Sequence, residues 1–156
     1  MQRKQEPFST GFINGGRGSA VGDQDSGDKE ESVAVKNYRD LEVWQQAMDL
    51  VVLCYQITRE FPKSEIYGLA SQLQRAAVSI PANISEGRHR GHSKEFLQHL
   101  SIAYGSLAEL ETHIQIAERL NYIPEDQICS LLDKTAKIGR MLNGLRNAVE
   151  KKMPKP

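Results

Sequence analysis

The sequence predicts an all-α protein, an antiparallel up-down-up-down four-helix bundle with a disordered N-terminal extension, and three observations predict it. Apolar residues recur at steps of three and four through most of the chain after residue 37, the repeat of helices that each bury one face. No segment alternates apolar and polar with period two, as a half-buried strand would. The connections between the amphipathic segments are short, which makes consecutive helices antiparallel neighbours.

Residues 1–36 form the extension, 37–152 the bundle and 153–156 a tail. Met1 to Lys36 is rich in Gly, Ser, Asp and Gln, with Phe8, Phe12, Ile13, Val21, Val33 and Val35 scattered without period. Such a stretch buries too little apolar surface to offset its ordering entropy. No apolar run follows Arg3 and Lys4, so it does not read as a signal peptide. The first helix is expected from about Tyr38 to Glu60, on the stripe Leu41, Trp44, Met48, Val51, Val52 and Tyr55. Pro62 in FPKSE stops it, and Ser64 is placed to cap the next. The second helix is expected from Glu65 to about Glu86, with Leu69, Leu73, Ala76, Ala77, Ile80 and Ile84 buried. Pro81 should interrupt or kink it, and Gly87 and Gly91 should bracket the loop that follows. A third helix starts at Ser93 and buries Phe96, Leu100, Ala103, Leu107, Leu110, Ile114 and Ala117. In NYIPED, Pro124 is expected at the first position of the fourth helix, with Glu125 and Asp126 at its positive end. The last stripe is Ile128, Leu131, Leu132, Thr135, Ile138, Leu142, Leu145 and Val149.

Composition narrows the function classes. Twenty basic and 20 acidic residues cancel, but unevenly along the chain. The segments from Lys63 to Leu100 and from Pro124 to Pro156 are the basic ones, and brought together in an oligomer they would attract a phosphate backbone. No apolar run is long enough to span a membrane. Cys54 and Cys129 stand far apart in apolar helical patterns, as in a reduced, cytoplasmic protein.

Arg75, Ser79, Asn83, Glu86 and Arg90 fall at steps of three and four, on a polar face of the second helix that flanks its apolar face. A flanking stripe lies where a second subunit or a ligand can cover it. Gly105 costs about 1 kcal/mol in a helix interior relative to alanine, which implies close approach of another helix. Ser79, Asn83, Glu86 and Gly105 are the candidate interface.

The run FPKSEIYGL, then QRAAVSIPANISEG, then KEFLQHLSIAYGSLAELET resembles the four-helix bundle family of bacterial proteins encoded by intervening sequences in the large-subunit ribosomal RNA gene. That family includes accessory variability determinants of diversity-generating retroelements. The likeness covers about Tyr38 to Glu150, and the extension departs from it. It implies a homopentameric barrel with a basic surface, acting with RNA or DNA and possible contact to a reverse transcriptase.

Arg75, Arg88, Arg90 and Lys94, with Lys134, Lys137, Arg140 and Arg146 of the fourth helix, are the candidate nucleic-acid contacts. Enzymatic alternatives are a metal site at His92, Glu95 and His99, spaced at three and four, or an acid/base pair of Glu86 with Glu109 or Glu111. Neither is accompanied by a nucleophile, a phosphate-binding loop or a cofactor fingerprint, and a bundle metal site draws its ligands from two or more facing helices. The reading is therefore a non-enzymatic, cofactor-free oligomer that contacts nucleic acid or a nucleic-acid enzyme; the alternative is a protein-interaction scaffold without nucleic acid.

Overall fold

A computed structural model describes residues 37–154. The expected disordered extension, residues 1–36, lies outside the described residues. Four helices account for the architecture: α1 Glu42–Thr58, α2 Leu69–His89, α3 Ser93–Arg119 and α4 Glu125–Lys151. The described residues hold no strand, as the absence of period-two patterning requires.

A single 3-10 turn, Tyr38–Asp40, leads into α1, capped by the Asn37 side chain, which accepts from the Arg39 N–H at 3.1 Å. Tyr38 packs edge-on against Trp44, 5.3 Å between ring centroids, and meets His89 at the far end of α2. The start of α1 and the end of α2 are thereby fixed side by side.

In α1 the buried residues are Val43, Ala47, Leu50, Cys54, Ile57 and Thr58, whereas Met48, Val52 and Tyr55 of the expected stripe are exposed. The helix faces the core about a third of a turn away from where the pattern places it, so Leu41, Trp44 and Val51 only flank the core. Glu42 and Asp49 are its only charged residues, so apolar side chains surround most of its circumference and period alone does not choose the face. The other three stripes are placed as expected: Leu73, Ala76, Ala77, Ile80 and Ile84 of α2 meet Phe96, Leu100, Ala103, Leu107, Leu110, Ile114 and Ala117 of α3, and Ile128, Leu131, Ile138 and Leu142 of α4 complete the core.

The connections differ in detail from the expectation. Lys63–Glu65 is a 3-10 turn, and α2 begins at Leu69, not Glu65. The cap is not Ser64 but the Glu65 carboxylate, whose Oε2 accepts from the Leu69 N–H at 2.9 Å. Its other oxygen accepts from the Tyr122 hydroxyl at 3.2 Å, and Tyr122 packs on Phe61 with 5.4 Å between rings. One carboxylate thus ties the α1–α2 connection to the α3–α4 turn, where Asn121 takes the left-handed conformation at φ 57°. Pro124 sits just ahead of α4 at the cap position, because its extended ψ of 142° is not helical. Pro81 does not interrupt α2, which runs through it to His89 with Pro81 buried. The helix loses one amide donor there, and tertiary packing on both sides sustains it.

Candidate nucleic-acid interface

Three residues of the polar stripe, Ser79, Asn83 and Glu86, meet α3 across the α2–α3 seam, and Arg90 joins them through Glu86. Ser79 Oγ lies 2.9 Å from Ser106 Oγ, and Asn83 Nδ2 donates to the Ser79 carbonyl at 2.8 Å and to Ser79 Oγ at 3.1 Å. Asn83 Oδ1 faces His99 Nδ1 at 3.1 Å. Glu86 Oε1 accepts from Arg90 Nη2 at 2.7 Å and lies 3.9 Å from His99 Nε2. The Arg90 hydrogen bond, reinforced by the charges of His99 and Arg90, holds the Glu86 carboxyl below its ordinary value against a smaller opposing effect of desolvation. Arg75, at the far end of the stripe, instead lines a groove with Tyr55, Ser71, Gln74, Val78 and Ser79.

The loop expected between Gly87 and Gly91 is shorter than the sequence suggests. Gly87 and Arg88 are helical, and only Arg90, Gly91 and His92 separate α2 from α3. Gly91 has φ 76°, which the reversal of direction requires. Gly87 has a different task, since a Cβ on it would stand 2.5 Å from His99 Cβ and 3.1 Å from the Phe96 ring. The close helix approach therefore occurs at Gly87, while a Cβ on Gly105 would meet nothing within 4 Å in the protomer. Gly87, His99 and Ser106 carry no signal as a group in the sequence, because their partners are brought together only by the antiparallel register of α2 and α3.

The candidate cations fall into two sets. Arg88, Arg90 and Lys94 surround the α2–α3 turn, with the Arg88 guanidinium over the Phe96 ring at 5.8 Å. Since α3 and α4 are both 27 residues and antiparallel, α4 returns to this end, bringing Arg146, Lys151 and Lys152 with it. Arg146 is half-buried, with its Nε enclosed and lacking a hydrogen-bond partner. Arg75, Lys134, Lys137 and Arg140 lie instead along the sides of the bundle, and Lys137 approaches Glu42 at 3.8 Å.

The enzymatic alternatives do not assemble. Among the described residues no three His, Cys, Asp or Glu side chains gather to hold a metal ion, so His92, Glu95 and His99 are not a site. His99 is turned to Asn83 and Glu86 of α2, and His92 is exposed ahead of α3. Glu86 is engaged by Arg90, Glu109 faces His113 at 3.4 Å, and Glu111 lines a separate groove between α3 and α4.

The family model described as 23S rRNA-intervening sequence protein matches residues 39–144. Among solved structures, the chain is similar to a protein of unknown function from the S23 ribosomal protein family of Bacteroides thetaiotaomicron, at a TM-score of 0.63 and 22% identity. That match covers 67% of this chain and 95% of the other, and at this identity it shows the fold. No curated protein matches the chain.

Proposed function

The chain belongs to the 23S rRNA-intervening sequence protein family, and from that premise we propose that it is a non-enzymatic, self-associating bundle that holds a nucleic-acid backbone against its basic end. The observation that supports this reading is the convergence of Arg88, Arg90 and Lys94 at the α2–α3 turn with Arg146, Lys151 and Lys152 at the end of α4. These six cations stand against Glu86, Glu95 and Glu150, whereas the opposite end carries Glu60, Glu65, Glu118, Glu125 and Asp126 against Arg59, Lys63 and Arg119. A polyanion approaching this protomer is steered to one end although the net charge is zero.

A member of this family that assembles would multiply that basic end, and a pentamer is the form that the resemblance implies. The face around Gly105, open within the protomer, is where another helix can approach, and Ser79, Asn83 and Glu86 belong to the same proposed interface. RNA is the preferred ligand, DNA the lesser one, and a reverse transcriptase the protein partner by the same resemblance. None of the helices among the described residues is long and apolar enough to cross a membrane. Action in the cytoplasm belongs to the same proposal and rests on the two free cysteines, Cys54 and Cys129.

Fluorescence anisotropy with a structured RNA tests the reading. Arg90→Gln combined with Lys94→Gln removes two cations without touching the stacked Arg88. Affinity should fall for all sequences alike, and the log–log salt slope should flatten by about 0.9 for each duplex phosphate no longer neutralised, or about 0.7 for single strands. An assembled, folded variant with unchanged affinity and slope removes this end as the binding surface. Absence of RNA and DNA binding by the unmodified protein at low salt leaves the scaffold reading instead.

A further inference from the structure

We propose that the α2–α3 seam is a proton-operated switch, in which protonation of His99 at Nε2 draws the Glu86 carboxylate toward α3 and releases Arg90 at the bundle end. Hydrogen-bond direction sets its resting state. Both bonds that the Asn83 amide nitrogen makes go to Ser79, at 2.8 and 3.1 Å, so Asn83 Oδ1 is left to accept. His99 Nδ1, 3.1 Å away, must then be the nitrogen that carries the proton. The same logic orders the rest of the seam. Ser106 Oγ donates to the Ile102 carbonyl at 3.0 Å, so Ser79 Oγ donates to Ser106 and accepts from Asn83. Every link from His99 to Ile102 therefore points one way, and the seam fixes the tautomer of a neutral His99.

That tautomer leaves Nε2 as a bare lone pair, 3.9 Å from Glu86 Oε1. Lone pair and carboxylate have nothing to exchange, and the carboxylate turns to Arg90, at 2.7 Å. A proton taken from water onto Nε2 changes the balance, because the imidazolium then donates at both nitrogens and gains a charge-assisted partner within a short side-chain movement. His99 is seated close against α2, since a Cβ on Gly87 would stand 2.5 Å from His99 Cβ. Glu86 is the mobile element, its side chain being 52% exposed against 14% for His99. The charged group facing His99 is Glu86 of α2, itself paired with Arg90 just past the end of that helix. Glu95, one turn earlier on α3, acts on Arg90, and α1 and α4 make no ion pair with His99 among the described residues. The switch does not depend on nucleic-acid binding, although its output is the availability of Arg90.

Nitrogen-15 NMR of the intact protein tests both parts. The neutral His99 should show the Nδ1-protonated pattern, and on acidification the Arg90 Nε resonance should move together with the His99 ring. In Glu86→Gln the Arg90 response to His99 should vanish, and in His99→Gln Arg90 should respond only where carboxylates titrate. A neutral His99 protonated at Nε2 overturns the proposal, as does an Arg90 resonance that ignores the His99 titration in the unmodified protein. Asn83→Ala gives an independent check, because it should abolish the tautomer preference while the helical circular dichroism remains.

Discussion

At the scale of single residues, two helical glycines that look alike in sequence behave in opposite ways. Gly105→Ala adds a methyl group where nothing lies within 4 Å and should stabilise an isolated protomer by about 0.5–1 kcal/mol. Gly87→Ala places a methyl group 2.5 Å from His99 Cβ, and the resulting displacement of α3 should outweigh the gain in helix propensity for a net loss of roughly 1–2 kcal/mol. Urea denaturation of the two variants checks both signs, and a larger Gly105 side chain that lowers the assembled mass would locate a second copy there. Gly105 stands out in the sequence because it is a glycine in the interior of a strongly periodic helix. Gly87 does not, because a glycine next to Arg-His-Arg reads as a loop until the register of α3 is known. Cys54 is a second contrast, its thiol pushed up to about 12 by burial while Cys129 is exposed. One thiol should react with a maleimide in the native protein and two in denaturant. The sign of the pH effect follows from the raised value: burial of the neutral thiol contributes fully below 9.0 and is lost progressively as pH rises toward about 12.

At the scale of elements, helix type and order are legible because α2, α3 and α4 carry strong apolar periods, and the face of α1 is not. Val43, Ala47, Leu50, Cys54 and Ile57 repeat as regularly as Trp44, Met48, Val51 and Tyr55, and a helix with two charged residues gives solvent no side to prefer. The choice is made by packing, which follows from the whole bundle. The Glu65 clasp is hidden for the same reason, since its partners are Leu69, four residues away, and Tyr122, 57 residues away. Glu65→Ala removes a helix cap and the link to the α3–α4 turn together and should cost about 1–2 kcal/mol by thermal or chemical denaturation. Tyr122→Phe should recover most of the native stability, because it removes only the hydroxyl and keeps the Phe61 packing. Destabilisation confined to Glu65→Ala would then mark the cap, not the tether, as the larger part.

At the scale of the whole molecule, the candidate cations form one set in the sequence, and the bundle divides them. Antiparallel helices of equal length carry the α2–α3 turn and the end of α4 to one end, a juxtaposition that linear spacing cannot express. Arg75, Lys134, Lys137 and Arg140 lie along the sides, where ordinary solvation accounts for them. The proposed function stands on nucleic acid being met at the basic end. Amide hydrogen exchange of the full chain, with and without a structured RNA at low salt, is the decisive measurement. Added protection is expected at residues 88–96 and 146–152 and none at 60–68 and 120–127. Protection confined to the acidic end, or no change anywhere under saturating RNA, would overturn the proposal.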